Sequence, residues 1–275
     1  MELEQQREAY GRQGVAVAAL SYDSAALLKD FAARKGVHYP LLADPESKVI
    51  RAFGILNTNF KPGEMPYGVP FPGMYVIDEH GIVRAKYFED DHVERYTAAS
   101  VLVRQFGAGG AEKTEVETRH LRLTSAASDR AVWPGSRVTL TLDLELKPGM
   151  HVYAPGVKGG YIPIEWKMAE SETWLALAAA YPEPHALEMR VINETLPVYD
   201  GRVRLARDVT VGQPVPQGKL AVTGTFRYQA CDDHQCFPPQ TVPLEWTLEV
   251  QALDGQRAPA DLQRRVTPPA PASPR

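Results

Sequence analysis

Residues 224–246 read Gly-Thr-Phe-Arg-Tyr-Gln-Ala-Cys-Asp-Asp-His-Gln-Cys-Phe-Pro-Pro-Gln-Thr-Val-Pro-Leu-Glu-Trp, and Cys231 and Cys236 within them are the only cysteines of the chain. Apolar residues alternate on both sides of the pair, which predicts two strands joined by a short loop. Cysteines flanking such a loop stand nearly opposite each other, at a cross-strand Cα separation of about 4.5–5.5 Å that falls inside the disulfide window. Bridging them closes a very short ring, so the entropic stabilisation is small and the bond is better placed for exchange than for structure. Asp232 and Asp233 disfavour a thiolate, whereas a protonated His234 favours one. Two fixed anions against one half-charged imidazole predict a thiol pKa that is not strongly depressed. Exchange then depends on a partner's thiolate attacking the oxidised pair. Cys231, His234 and Cys236 also offer metal donors, but a second ligand pair at zinc spacing is missing, so no metal and no organic cofactor are expected.

Outward from this stretch, strand-like runs recur at His120–Thr124, Val138–Leu146, Val203–Val211, Leu220–Tyr228 and Val242–Val250, separated by turns rich in Pro and Gly. They predict an all-β antiparallel sandwich over residues 113–252. Leu-Ala-Leu-Ala at 175–178 is its one plausible helical interruption, and Trp133, Trp166, Trp174 and Trp246 are expected in its core. Gly-Ala-Gly-Gly at 107–110 is a flexible joint, with a linker over 108–112. Residues 253–275, which end Thr-Pro-Pro-Ala-Pro-Ala-Ser-Pro-Arg, have the composition of a disordered tail.

Residues 1–107 have a different grammar. A helix over Leu3–Gln13 precedes a buried strand at Val15–Leu20. Leu27, Leu28, Phe31 and Ala32 then recur at helical spacing between a cap at Asp23 or Ser24 and a stop at Gly36. After Leu41–Ala43, Asp44-Pro45 reads as a cap with proline at the first helical position, and that helix carries Val49, Ile50 and Phe53 inward. Strands at Met74–Ile77 and Ile82–Phe88 flank an Asp-Glu-His-Gly turn, and Val93–Phe106 reads as a closing helix. This is α/β patterning.

The bulk numbers set limits. The 275 residues are enough for two domains, and 44% apolar with 23% charged residues is globular composition. A net charge of −4 with no Lys/Arg run leaves no electrostatic footprint for nucleic acid. No apolar run has the length to span a bilayer, and the polar start Met-Glu-Leu-Glu-Gln-Gln-Arg carries no signal-peptide pattern.

Two resemblances follow from the motifs. The segments at 11–24, 38–55 and 69–83 resemble a peroxiredoxin-type (AhpC/TSA, redoxin) member of the thioredoxin-like fold. That resemblance implies a cis proline facing the reactive cysteine, and Pro72 holds its place. It also implies a cysteine at the start of the first long helix and a central strand before it. Neither is found in residues 1–107, so an incomplete domain is expected, without peroxidase chemistry of its own. The Tyr-Gln-Ala-Cys…Cys-Phe-Pro-Pro core, with Leu-Pro-Val-Tyr-Asp-Gly at 196–201, resembles the amino-terminal domain of the thiol:disulfide interchange protein DsbD. This implies an immunoglobulin-like sandwich with an exchangeable disulfide, in which Cys236 forms mixed disulfides and Cys231 resolves them. It further implies a cap loop placing Tyr199 over the sulfurs, and a site lined by His151 and Tyr153. The implied activity is a thiol:disulfide oxidoreductase in the periplasm. It takes electrons from a thioredoxin-like or membrane-linked dithiol donor and passes them to extracytoplasmic thiol proteins. Two other readings stay open: a peroxiredoxin-type antioxidant protein whose catalytic start lies outside this chain, and a redox-inert binding module whose disulfide only secures a hairpin.

Overall fold

The computed structural model describes residues 2–88, 94–189 and 194–263. The chain divides into two compact units, residues 1–98 with 254–275, and residues 99–253.

The first unit contains α1 (Glu2–Arg12), β1 (Ala19–Ser21), α2 (Ala25–Lys35), β2 (Leu41–Ala43), α3 (Lys48–Ala52), β3 (Gly73–Ile77), β4 (Val83–Phe88) and β5 (Arg95–Tyr96). It is the α/β, thioredoxin-like half. Helix α2 uses both terminal signals of its sequence. The Ser24 side chain accepts from the Leu27 N–H, and Gly36, at φ 62°, donates its N–H to the Ala32 carbonyl. Helix α3 starts later than the Asp44-Pro45 pair predicts. The Asp44 carboxylate reaches forward to the N–H groups of Lys48 and Ile50, each at 2.9 Å, and the helix begins after Ser47. Of the three residues expected to face inward, Ile50 is buried, whereas Val49 and Phe53 are exposed. One short turn of helix presents a single residue to the core, so the neighbours at 49 and 53 fall outside it.

Strand β1 pairs in parallel with β2, and β3 pairs antiparallel with β4, as two separate ribbons. The strands on either side of the expected central strand therefore do not pair with each other. Leu42, Ile77 and Val83 stay exposed on these ribbons. The proline expectation needs correction. Among the described residues the cis peptide bond is Gln213–Pro214, and Phe71–Pro72 is trans. Phe71 donates its N–H to the Ile55 carbonyl and Leu56 bridges Pro70, so an extended chain holds the segment and the ordinary trans preference is met. Of the tail, Asp254 and Gln256 accept from the Lys35 ammonium. The Pro-rich end at 264–275 lies outside the described residues.

The second unit opens with α4 (Ala98–Phe106), shorter than the helix predicted from Val93, itself outside the described residues. Thirteen strands follow: β6 (Lys113–Glu117), β7 (Leu121–Ala127), β8 (Ala131–Val132), β9 (Ser136–Leu146), β10 (His151–Tyr153), β11 (Glu165–Met168), β12 (Trp174–Ala180), β13 (His185–Met189), β14 (Glu194–Asp200), β15 (Arg202–Val211), β16 (Gly218–Tyr228), β17 (Ala230–Cys231) and β18 (Gln240–Val250). One sheet runs β12-β15-β9-β7-β6 and faces another ordered β11-β16-β18-β8. Strict alternation along β18 turns Val242, Leu244, Trp246, Leu248 and Val250 inward against Leu140, Leu142, Leu144, Leu205 and Val209. Each such fully buried side chain contributes roughly 1.5–3 kcal/mol. This is an immunoglobulin-like sandwich. Trp166, Trp174 and Trp246 are buried in it. Residues 175–178 lie in strand β12 and not in a helix: Leu175 and Ala176 pair with Thr210 and Val209 of β15, and the register shifts before pairing resumes at Ala179. Strand β9 is buried on both faces. Helix α4, read from sequence as closing the first half, belongs to this unit, and its Arg104 forks onto Asp208 of β15 at 2.9–3.0 Å.

Candidate functional site

A third, small sheet, β13-β14-β10-β17, carries the cysteines. The long β16–β18 ladder ends at Tyr228↔Gln240. The reason is covalent: Pro238 and Pro239 have no N–H to continue it. The Gln229 side chain bonds the Phe237 carbonyl at 3.0 Å across the gap. Ala230 and Cys231 then leave for the small sheet, where Val152 pairs with Ala230 and His151 with Cys231. The cysteines are therefore not the two flanks of one continuous hairpin, as the alternation predicted. Cys231 sits on a strand of the small sheet, Cys236 on the returning arm, and an isolated antiparallel bridge joins them. They form a disulfide with S–S 2.09 Å and Cα–Cα 4.0 Å.

The loop between them is tied from within. The Asp232 N–H bonds the Gln235 carbonyl, and the Asp232 carboxylate accepts from the N–H groups of His234 and Gln235, both at 2.8 Å. Those two backbone donors hold the Asp232 carboxyl below its ordinary 3.8. Beyond the loop, Phe237 donates its N–H to Ala230 and stacks on His120 at 4.4 Å, with the Arg119 guanidinium 5.5 Å from the same ring. His120 is buried, and neither of its ring nitrogens has a hydrogen-bond partner among the described residues. Burial pushes its pKa below 6.5, helped by the positive charges of Arg119 and Lys147.

Side chains alternate across a strand, so β10 sorts the predicted site residues by face. His151 and Tyr153 project on the face of Cys231, and Val152 on the other. Tyr153 is fully buried, its hydroxyl lies 3.7 Å from Cys236 Sγ, and its ring meets that of His151 edge-on at 5.6 Å. Burial, and after it the Glu194 carboxylate, pushes the Tyr153 phenol above 10.0. Tyr153, Leu196, Val198 and Cys231 form a small apolar cluster. Tyr161, which the sequence reading did not single out, leans on Tyr153 at 4.7 Å and anchors its own hydroxyl on Glu194 at 2.8 Å. The signal was present in Gly159-Gly160-Tyr161, an aromatic residue at the end of a glycine pair in a loop.

Tyr199 is placed elsewhere. Leu196–Asp200 is not a loop but part of strand β14, paired on both edges, with Val198 opposite Tyr153 and Asp200 opposite His151. Tyr199 therefore points to the opposite face, into the sandwich core, where its hydroxyl bonds the Pro182 carbonyl at 2.7 Å. The structure brings Cys231, Cys236, His151 and Tyr153 together and leaves Tyr199 behind them. The two cysteines are not equivalent: Cys231 is 1% exposed, whereas Cys236 is an exposed residue. Among the described residues no three His, Cys, Asp or Glu side chains are grouped to hold a metal ion, and no helix is long and apolar enough to cross a membrane.

Fold and site together define an immunoglobulin-like sandwich that presents a disulfide with one exposed cysteine beside a buried tyrosine. Residues 120–246 match the family model of the thiol:disulfide interchange protein DsbD, N-terminal, and residues 1–86 match that of the AhpC/TSA family. Among solved structures, the chain is similar to the N-terminal periplasmic domain of ScsB from Proteus mirabilis, at 15% identity over 51% of this chain and 52% of that one, with a TM-score of 0.37. It is also similar to the DsbD N-terminal domain of Neisseria meningitidis in the reduced form, at 14% identity over 40% of this chain and 77% of that one, with a TM-score of 0.29. The chain thus spans about half the length of the ScsB structure. No curated protein matches it. The two family matches and the Cys231–Cys236 bond support a thiol–disulfide redox function.

Proposed function

We propose that the chain is an extracytoplasmic thiol:disulfide oxidoreductase that relays electrons through Cys231 and Cys236. The observation that carries this reading is the unequal exposure of the two cysteines, Cys236 exposed and Cys231 buried, with the Tyr153 hydroxyl set against Cys236 Sγ. A partner thiolate can reach only Cys236. Attack there forms a mixed disulfide and releases Cys231 as the leaving sulfur; in the reverse direction Cys231 resolves the mixed disulfide. The electron donor is a thioredoxin-like or membrane-linked dithiol protein, and the acceptors are extracytoplasmic thiol proteins. Cover over the site is assigned to Tyr161 and the Leu196–Val198 face of β14, in place of Tyr199.

The alternative is an inert disulfide in a binding module. The loop is already secured by Asp232 and by the Phe237–Ala230 bond, so the disulfide adds little as a staple. Trapping decides between them. Cys231→Ala should accumulate a mixed disulfide with a thioredoxin-like dithiol protein through Cys236, and Cys236→Ala should accumulate none. Capture by Cys236→Ala instead would reverse the roles. Capture by neither, with a reduction potential well below about −300 mV, would mark the bond as structural.

A further inference from the structure

Resting on the exchange reading above, we propose that His151 is the general base that activates Cys231 when it resolves a mixed disulfide held on Cys236. His151 and Cys231 are direct partners across the β10–β17 pairing, so imidazole and sulfur rise from adjacent positions on one face. His151 is 6% exposed, and its Nε2 is buried without a hydrogen-bond partner among the described residues. An orphan ring nitrogen in such a place is costly and requires a reason. In the disulfide Cys231 has no proton to offer. In the dithiol and in the mixed disulfide it has one, and Nε2 is an acceptor on the same face of the strand pair.

The chemistry balances. Cys236 is bonded to the partner's sulfur, and Cys231 carries a thiol. His151 Nε2 takes the thiol proton, and Cys231 Sγ attacks Cys236 Sγ. The internal S–S bond forms as the mixed S–S bond breaks, and the electron pair leaves with the partner's sulfur as a thiolate. The proton has an exit. His151 lines a surface cavity of about 460 Å³ whose wall includes Lys147, His185, Asp200 and Asp233, with His185 Nε2 3.2 Å from the Asp200 carboxylate. A base must be neutral at working pH, and burial provides this by pushing His151 below 6.5. The facing groups oppose one another: Asp233, Asp200 and Asp232 raise it, and His185 lowers it. Its strand neighbour Tyr153 stays protonated, because its own pKa is raised.

The test uses the full chain, reduced and then mixed with oxidised glutathione, with acid quenching and mass spectrometry to follow the glutathione adduct on Cys236. In the unsubstituted protein the adduct should be transient, and its resolution rate should show an inflection below pH 6.5. His151→Gln should form the adduct at an unchanged rate but resolve it at least tenfold more slowly at pH 7, without that inflection, in line with the ~10²–10⁴-fold span of general base catalysis. Asp233→Asn should shift the inflection to lower pH. Equal adduct lifetimes with and without His151 would overturn the proposal. So would a pH profile of the unsubstituted protein with no inflection below 6.5, a reading that survives even if His151→Gln fails to fold. Failure of the exchange reading looks different: Cys231→Ala then forms no adduct at all.

Discussion

Replacing Tyr153 with Phe removes a single hydroxyl and keeps a fully buried ring packed between His151 and Tyr161. That hydroxyl stands 3.7 Å from Cys236 Sγ. Once the disulfide is reduced, it is the donor available to the Cys236 thiolate. Because its own pKa is raised, it keeps its proton while the thiol titrates. A hydrogen bond to a charged group contributes about 1.5–3 kcal/mol, and the long contact argues for the lower end. At 1.36 kcal/mol per pKa unit, Tyr153→Phe should raise the Cys236 thiol by about one unit. At pH 7 the thiolate fraction then falls about tenfold. The more basic thiolate is a better nucleophile, with a Brønsted slope of about 0.4–0.5, which recovers about threefold. Alkylation should therefore slow about three- to fourfold. Iodoacetamide labelling between pH 5 and 10, in a Cys231→Ser background with Cys236 as the single thiol, reads both numbers. A thiol pKa within about 0.3 units of the parent's, or below it, would refute a donor role for Tyr153.

Other consequences are equally direct. His120 and His151 both have folded-state pKa values pushed below 6.5, so below that pH the unfolded chain binds protons that the folded chain excludes. Stability should fall as the pH drops from 6.5 toward the folded values, and thermal melts at pH 7 and pH 5 should show a smaller loss for His120→Phe. Gly224 faces the Lys167 carbonyl, which an added Cβ would approach to 2.4 Å, so Gly224→Ala should cost about 1–3 kcal/mol or more in urea unfolding followed by tryptophan fluorescence. A stability change under 0.5 kcal/mol would mean the β11–β16 pairing is looser than described. Asp232→Ala removes the acceptor for two loop amides, so hydrogen exchange at His234 and Gln235 should accelerate while the β16–β18 ladder stays protected.

The sandwich was legible because period-2 alternation survives in β16 and β18, where one face is wet. Strand β12 was misread, since Leu-Ala-Leu-Ala carries neither a polar face nor a β-branched residue to declare a strand. The cysteine pair was legible from its spacing and motif, whereas residues 151 and 153 entered only through the resemblance to the DsbD amino-terminal domain; the structure sets both on the face of Cys231. Tyr199 was not legible, although the same alternation that placed Tyr153 beside Cys236 separates Tyr199 from Val198 and Asp200. Reading residues 196–201 as a loop hid that parity. Pro72 shows a different limit: a proline in a Pro-rich stretch carries no local signal of its isomer, and the bond has the ordinary trans form. The exposed apolar side chains of α3, β2 and β3 follow from short elements that present few residues to any one core.

The two prolines that end the β16–β18 ladder decide how the two cysteines are mounted. Past the prolines, Cys231 rides on a strand held by β10 and Cys236 on an arm anchored by the Phe237–His120 stack, and the two are tied by an isolated bridge and the Phe237–Ala230 bond. The S–S bond belongs to neither the β16–β18 nor the β10–β17 ladder, so breaking it removes no ladder hydrogen bond and leaves the Asp232 and Phe237–Ala230 bonds in place.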